Sequence, residues 1–474
     1  MVINKTKQRL TYVTGDYVML LVGWTLFAIL RYRVVPSETM DADTLEQFLK
    51  LPGFIGGIIV YPLAMLGMYW MSGYYNYVYF KSRLHDVGNT VLISFIGTLL
   101  IFFVALINDA HSERMLSYEL LVILWLCLFV PVIASRLIIT SRTSRLIKSH
   151  RLEFNTLVIG ATQGARKLAE KISRRTRGMG FRIIGYVDTD RGDLTCRDLD
   201  LPIYHIDDLE KVCSENNVRR LIVSPHRSGF KETSQLISRL FPLDMPIYIT
   251  PDLYSLIVTQ PRIADVAGEP LIDISRAHAS AATVNCKRLG DIVISAISLV
   301  LLMPVFLVLS IAIKRDSRGP VFYKQERIGY HKRPFNIYKF RTMTIDAESE
   351  GPALSSLDDP RITRLGHYMR KYRLDELPQF WNVLKGDMSI VGPRPERDYY
   401  IKQIVARVPY YNLIHQVRPG ITSWGMVKFG YASSVDQMIE RLRYDLLYID
   451  NVSLNVDLKI ILYTVNTVIT GKGV

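Results

Sequence analysis

Two adjacent carboxylates, Asp375 and Glu376, stand in the segment Arg373-Leu374-Asp375-Glu376-Leu377-Pro378-Gln379. Neighbouring side chains at a helix start diverge in direction, so one carboxylate can attack while the other holds a cation. The residues predict a short apolar helix from Leu377 to Leu384, with Pro378 tolerated because first-turn N–H groups have no intrahelical partner. Those N–H groups and the positive end of the helix dipole would favour a phosphate. Arg370, Lys371 and Arg373 lie just upstream, and Val391-Gly392-Pro393-Arg394-Pro395 follows. Carboxylates, a helix N-terminus and guanidiniums in one place predict phosphoryl-transfer chemistry. Asp and Glu are also ordinary capping and first-turn residues, so the weight falls on what surrounds them.

The chain has 474 residues, enough for two or three domains. It is 49% hydrophobic, with a mean hydropathy of +0.15 and a formal charge of +14. The apolar excess is concentrated before about residue 140 and again near residues 289–313. Basic flanks around long apolar segments favour anionic lipid or phosphorylated substrates, and nothing in the sequence reads nucleic acid. Cys127, Cys196, Cys213 and Cys286 form no CxxC pair, which predicts reduced thiols, no zinc site and no disulfide framework.

Four segments are long and apolar enough to span a bilayer, roughly Tyr12–Leu30, Phe54–Met71, Val87–Ile107 and Leu120–Ile139. Lys5, Lys7 and Arg9, then Lys81 and Arg83, then Arg142, Arg145, Lys148 and Arg151 flank them on one side. By the positive-inside rule the N-terminus and everything after residue 140 face the cytoplasm. The expected location is the bacterial inner (cytoplasmic) membrane. Asp16, the one acid inside a span, is read as structural, reaching the interface.

From Asn155 the pattern alternates strand and helix. Thr156–Ile159, Arg182–Val187, Arg220–Val223 and Pro246–Ile249 predict a parallel, doubly wound, Rossmann-like sheet. Its glycine loop, Gly160-Ala161-Thr162-Gln163-Gly164-Ala165, departs from the dinucleotide fingerprint. Thr162 replaces the second glycine and Ala165 the third, favouring a structural or regulatory domain.

Leu289 to Ile313 is again apolar, yet Lys287-Arg288 precedes it and Lys314-Arg315 follows. Basic residues at both ends place both ends at one leaflet. Pro304 removes an i→i−4 hydrogen bond and clashes with the carbonyl of Val300, predicting a re-entrant helix–break–helix. A fifth full span is the alternative, and it would put Asp375 outside the cell.

Further motifs follow: Gly319-Pro320-Val321-Phe322-Tyr323-Lys324-Gln325-Glu326-Arg327-Ile328-Gly329, Phe335-Asn336-Ile337-Tyr338-Lys339-Phe340-Arg341-Thr342-Met343, Lys385-Gly386-Asp387-Met388-Ser389 and Arg418-Pro419-Gly420-Ile421-Thr422. With the Leu374–Gln379 and Gly392–Pro395 stretches, this succession resembles the bacterial sugar transferase family, the monotopic polyprenyl-phosphate hexose-1-phosphate transferases. The resemblance covers about residues 284–474 and rests on six motifs in family order. The N-terminal part is similar to the long subfamily that starts capsule, O-antigen or exopolysaccharide repeat units. The implied architecture is a membrane protein of four transmembrane helices (1–145), an α/β Rossmann-like cytoplasmic domain (150–275) and an α-rich monotopic catalytic domain (284–474) with its re-entrant helix at 287–314.

The resemblance implies transfer of a sugar 1-phosphate from a UDP-sugar to undecaprenyl phosphate, with UMP released. Asp375 would be the nucleophile that forms a covalent phosphosugar enzyme, and Glu376, with Asp375, would help hold Mg²⁺. Lys339 and Arg370 would contact phosphate, Arg394 the nucleotide portion, and Lys287-Arg288 the headgroups of membrane lipids. Similarity to the long subfamily also suggests a homodimer. One departure is Ser423-Trp424-Gly425-Met426, where Gly-Trp-Ala-Gln is more usual.

The residues carry this chemistry independently of the likeness. A carboxylate that attacks a diphosphate meets like-charge repulsion, so the site needs a divalent cation and fixed positive charges. Lys339, Arg341, Arg370, Arg373 and Arg394 can supply the charges. A membrane-anchored nucleotide-sugar dehydratase is the enzymatic rival. It needs an intact glycine loop and a Tyr-x-x-x-Lys pair, and the one such spacing, Tyr77/Lys81, lies at a membrane edge. A non-catalytic membrane scaffold for polysaccharide assembly is the other rival; it would have no need of the carboxylate pair beside so many cations.

Overall fold

The computed structural model describes residues 5–35, 44–76, 78, 79, 81, 83–106, 114–175, 180–188, 201–224, 236, 237, 239, 240, 243, 245–249, 263–266, 269–273, 279–347, 351, 359–430 and 432–470. Tyr77, Cys196 and the Ile107 end of the third expected span fall outside these. The chain divides into two compact units, the first made of the N-terminal helices to Glu153 together with Ser280–Cys286.

In the first unit, α1 (Lys5–Val34), α2 (Leu45–Leu49), α3 (Pro52–Met71), α4 (Arg83–Ile101) and α5 (Arg114–Lys148) follow one another. Four of them, all but the short α2, are long and apolar enough to cross a membrane, as the sequence predicts. Helix α1 packs on α5 and α3, and α4 packs on α5. Gly23 permits the closest approach: a Cβ there would sit 2.3 Å from the carbonyl oxygen of Cys127, the small-residue contact by which apolar helices meet.

Asp16 is structural, but not by reaching the interface. It is fully buried and accepts from Arg136 at 2.6 Å and from the Tyr75 hydroxyl at 2.7 Å. The guanidinium of Arg136 lies over the rings of Tyr69 and Tyr74, at 3.8 and 3.6 Å. An ion pair inside an apolar bundle survives only when its charges are satisfied this fully.

In the second unit β1 (Phe154–Ile159), α6 (Gln163–Arg175), β2 (Phe181–Asp188), β3 (Ile203–His205), α7 (Leu209–Glu215), β4 (Arg220–Val223), β5 (Ile247–Ile249), β6 (Ile263–Val266) and β7 (Glu269–Asp273) build a seven-stranded sheet. Its order is β3-β2-β1-β4-β5-β7-β6. The first five strands are parallel, and β7 and β6 close the edge antiparallel. Strand β1 lies inside the sheet and is nearly all buried, and its second half, Leu157-Val158-Ile159, is an unbroken apolar run.

The remaining elements carry the carboxylates. Helices α8 (Ala281–Leu301) and α9 (Met303–Asp316) meet at a 59° bend around Leu302. Pro304 sits in the first turn of α9, where its missing N–H costs nothing. An antiparallel hairpin of β8 (Phe322–Ile328) and β9 (Pro334–Phe340) follows. Then come α10 (Arg364–Lys371), α11 (Gln379–Lys385), β10 (Ser389–Val391), α12 (Asp398–Arg407), β11 (Gly420–Thr422), α13 (Trp424–Lys428), α14 (Val435–Asp450) and α15 (Leu454–Ile469). Strands β10 and β11 pair in parallel. A core that includes Val383, Met388, Tyr400, Ile404, Leu442 and Ile460 joins these elements.

Candidate active site

The carboxylates do not stand at a helix N-terminus. Leu374–Glu376 is a single 3-10 turn, and α11 begins only at Gln379, because Pro378 caps it rather than entering it. Arg373 enters the turn in the left-handed region, φ 52°. A non-glycine residue held there is strained, and such strain persists only where the surroundings fix it. Asn382 of α11 supplies the fixing: its side chain accepts from the Tyr338 N–H at 3.1 Å and donates to the Asn336 carbonyl at 2.7 Å. The helix after the carboxylates is thereby stitched to the strand that carries Lys339.

Three cations converge on Glu376. Lys339 donates to its Oε1 at 2.7 Å, Arg394 to the same oxygen at 3.1 Å and Arg373 to Oε2 at 3.3 Å. Asp375 is far less engaged, with the Lys339 ammonium 3.9 Å from its Oδ2. The electrostatics split accordingly. Burial raises the Asp375 carboxyl above the usual range, and Lys339, Arg370 and Arg373 only partly offset this beside the charge of Glu376. Burial pushes Glu376 up as well, but Lys339, Arg394 and Arg373 overcome it and hold that group well below the usual glutamate range. Two neighbouring carboxylates are thus driven apart, which is the environment that assigns different roles to like groups.

Both open onto a cavity of about 290 Å³ whose wall includes Lys339, Arg370, Arg373, Arg394 and Thr342. Arg370 is oriented by its Nε, which donates to Thr342 Oγ1 at 3.1 Å. Five of the residues expected at the site, Asp375, Glu376, Lys339, Arg370 and Arg394, therefore share it. Arg341 reaches the same cavity with its side chain but commits its guanidinium elsewhere, to the carbonyls of Ser317 and Arg318 at 2.8 and 2.7 Å. Lys287 and Arg288 also have protein partners. Lys287 pairs with Asp457 and donates to the Tyr448 hydroxyl, and Arg288 donates to the Val383 and Leu384 carbonyls.

One wall was missed from sequence. Glu396 is buried between Arg441 at 2.6 Å and Arg327 at 3.2 Å, and these two arginines overcome the effect of burial to keep it below the usual range. Its position directly after Pro393-Arg394-Pro395 was the available signal; Arg441 looks like any charged residue of a helix.

Residues 282–471 match the family described as bacterial sugar transferase. A sugar transferase of Bacillus subtilis, EpsL, described as uncharacterized, is 42% identical over 193 residues, 40% of this chain and 89% of that protein. The chain belongs to the bacterial sugar transferase family. A UDP-glucose:undecaprenyl-phosphate glucose-1-phosphate transferase of Klebsiella pneumoniae is 33% identical over 62% of this chain and 63% of its own length. A UDP-N-acetylgalactosamine-undecaprenyl-phosphate N-acetylgalactosaminephosphotransferase of Aeromonas hydrophila is 44% identical over 40% of this chain. The alignments span less than two thirds of these two relatives, 63% and 44%. The part of the chain that matches the bacterial sugar transferase family contains the whole carboxylate cavity, from Pro320 to Arg441.

Proposed function

We propose that this protein transfers a sugar 1-phosphate from a UDP-sugar to undecaprenyl phosphate and releases UMP. The observation that carries the proposal is the asymmetry of the pair: Glu376 is held by three cations, while Asp375 has one ammonium at 3.9 Å. In the first half-reaction an Asp375 oxygen attacks the phosphorus that bears the sugar, and the bond to the UMP oxygen breaks with its electrons leaving on UMP. In the second, an oxygen of the lipid phosphate attacks the same phosphorus and the Asp375 carboxylate departs. Division into two steps lets the soluble donor leave before the lipid arrives.

Lys339, Arg370, Arg373 and Arg394 line the confined cavity and would neutralise the charge of a diphosphate bound there. The pair also fits Mg²⁺. No group of three or more His, Cys, Asp or Glu is available among the described residues, but Mg²⁺ is commonly held by one or two carboxylates with substrate phosphates completing the shell. Asp375 and Glu376 would hold it, and when bound it would supply further charge neutralisation at the phosphates. Arrival of a diphosphate would give the three cations now on Glu376 an alternative anion.

The α8–α9 pair is read as re-entrant on the 59° bend and the basic residues at both ends. It would keep the carboxylates at the cytoplasmic headgroup level of the bacterial inner membrane, where an acceptor phosphate lies. The parallel order β3-β2-β1-β4-β5 supports a Rossmann-like reading of the sheet. A role without dinucleotide is supported by Thr162, whose hydroxyl accepts the Ala165 N–H at 3.2 Å and so occupies a donor that a pyrophosphate would need.

The test is UMP release from a panel of UDP-sugars, UDP-glucose and UDP-N-acetylgalactosamine among them, with undecaprenyl phosphate as acceptor. UMP with a lipid-linked sugar phosphate is expected. UDP as product, or a strict requirement for NAD, would overturn the proposal.

A further inference from the structure

The bent helix pair is joined to the rest of the site by two arginines, one at each arm: Arg288 is carried by α8, and Arg341, just past β9, reaches the end of α9. On the first arm, the Arg288 guanidinium forks across the last carbonyls of α11, at 2.6 Å to Val383 and 2.9 Å to Leu384. These are last-turn carbonyls of the helix that begins three residues after Glu376, and the Gly386 N–H shares the first of them, at 3.1 Å to Val383. Gly386 ends that helix at φ 100°, and a Cβ there would touch the Arg288 guanidinium at 3.4 Å. One turn further along α8, Asp291 accepts the Ile390 N–H at 3.1 Å. One residue before Arg288, Lys287 pairs with Asp457.

On the second arm, Arg341 forks across the Ser317 and Arg318 carbonyls just past the end of α9. Gly319 makes room for it: φ is 128°, and a Cβ there would fall 1.8 Å from Arg341 Nη1. Between the clamps, Leu309 and Ile313 of α9 pack with Phe340, Met369, Leu374 and Leu377. The last two flank the carboxylates on both sides.

We infer that Arg288 and Arg341 are positioning residues that make the bent helix pair and the Asp375–Glu376 turn one rigid body, so that the depth of the pair in lipid sets the height of the carboxylates. This rests on the phosphosugar-transfer reading of the cavity. It assigns Arg288 a different task from a headgroup contact, since both terminal nitrogens are spent on backbone carbonyls. The first half-reaction, between two partners in the cavity, does not depend on that depth. The second does, because the acceptor phosphate is fixed at the membrane surface.

The test compares Arg288→Ala and Arg288→Lys with the unaltered full-length protein in liposomes. In both variants, stoichiometric UMP release without acceptor should persist, while transfer to undecaprenyl phosphate falls at least about tenfold with a raised KM for the lipid. Lysine keeps the charge but cannot fork across two carbonyls, so a lysine variant with full transfer would restore the headgroup reading and overturn the clamp. Parallel loss of both half-reactions in both variants would also overturn it, leaving Arg288 as support of the fold alone. A nitroxide at position 381, on the exposed face of α11, reads depth without substrate: Arg288→Ala should shift its accessibility to lipid-soluble and water-soluble relaxants. Unchanged depth would refute the clamp whatever the activity. Absence of UMP release from the unaltered protein would instead refute the transfer reading, and the nitroxide would still decide the clamp.

Discussion

Lys339 Nζ lies 2.7 Å from Oε1 of Glu376, and the same ammonium is 3.9 Å from Asp375. A single strand residue therefore serves both carboxylates unequally, neutralising one and leaving the other available. Replacement of Lys339 with Met removes this bias while keeping an unbranched stem in β9. The expected result is loss of UMP release by roughly two to three orders of magnitude, the scale of losing one oriented electrostatic group. A variant within about threefold of the unaltered protein in single turnover would contradict the role.

Glu376→Gln leaves three cations facing a neutral amide. Breaking a buried pair typically costs about 3–5 kcal/mol, and the lower end applies here because Gln still accepts hydrogen bonds. Turnover should fall severely and its Mg²⁺ dependence should change. Titration of activity against Mg²⁺, with thermal unfolding measured alongside, separates the two effects; an unchanged Mg²⁺ midpoint would remove Glu376 from the metal.

The pH dependence follows from the split carboxylates. Asp375 must be ionised to attack, and burial places its protonation above the usual aspartate range. The rate of the first half-reaction should fall as pH drops through that raised value, in a single protonation, because Glu376 stays ionised there. The stability signs are opposite. Asp375, with a raised folded value, contributes stability that is lost as pH rises through that value. Glu376, with a depressed one, contributes stability present above the ordinary glutamate value and lost as pH falls through the depressed value. Single-turnover UMP release across pH, with unfolding measured in parallel, checks both.

Met426 takes the place of the usual Gln in the Ser423–Met426 segment, and its sulfur accepts from Arg394 Nη1 at 3.3 Å. A carboxamide oxygen is a stronger acceptor than a thioether. Met426→Gln should therefore redirect Arg394 and change the ratio of kcat/KM between UDP-glucose and UDP-N-acetylgalactosamine by about tenfold, within reach of one altered polar contact. An unchanged ratio would detach this segment from sugar choice.

Pro304→Leu should let α8 and α9 continue as one straight helix. A cysteine at exposed position 316 should resist an impermeant thiol reagent in intact cells when Pro304 is present and react when it is replaced. Labelling with Pro304 present would establish a fifth span and end the re-entrant reading.

The four long helices were legible because crossing a bilayer demands long apolar runs, and the inner strands because burial on both faces leaves short apolar ones. Chemistry was legible where residue types are unusual together, as at Asp375-Glu376 and Pro393-Arg394-Pro395. The direction of a long basic side chain was not. Lys287, Arg288 and Arg341 look the same on paper whether they face lipid, phosphate or backbone carbonyls, and only tertiary packing turns them inward. The helix starts later than the sequence predicts for a local reason: Pro378 suits a first turn on paper, while Arg373 in the left-handed region winds Leu374–Glu376 into a separate turn and leaves Pro378 as the cap. Strands β3, β6 and β7, toward the two ends of the sheet, mix polar and apolar residues (Ile-Tyr-His, Ile-Ala-Asp-Val, Glu-Pro-Leu-Ile-Asp), unlike the mostly apolar β4 and β5, so no buried run marks them.

The most direct measurement is covalent capture. Enzyme incubated with a UDP-sugar labelled in its sugar and Mg²⁺, without lipid acceptor, should release about one UMP per active site and retain the sugar phosphate on the protein. The label should survive denaturation and be released by hydroxylamine, as an acyl phosphate is. Asp375→Asn, which keeps size but removes the attacking anion, should abolish the label and lower turnover by roughly three orders of magnitude, about 4 kcal/mol of barrier. An Asp375→Asn protein that still turns over, or a label that persists on it, would contradict the account.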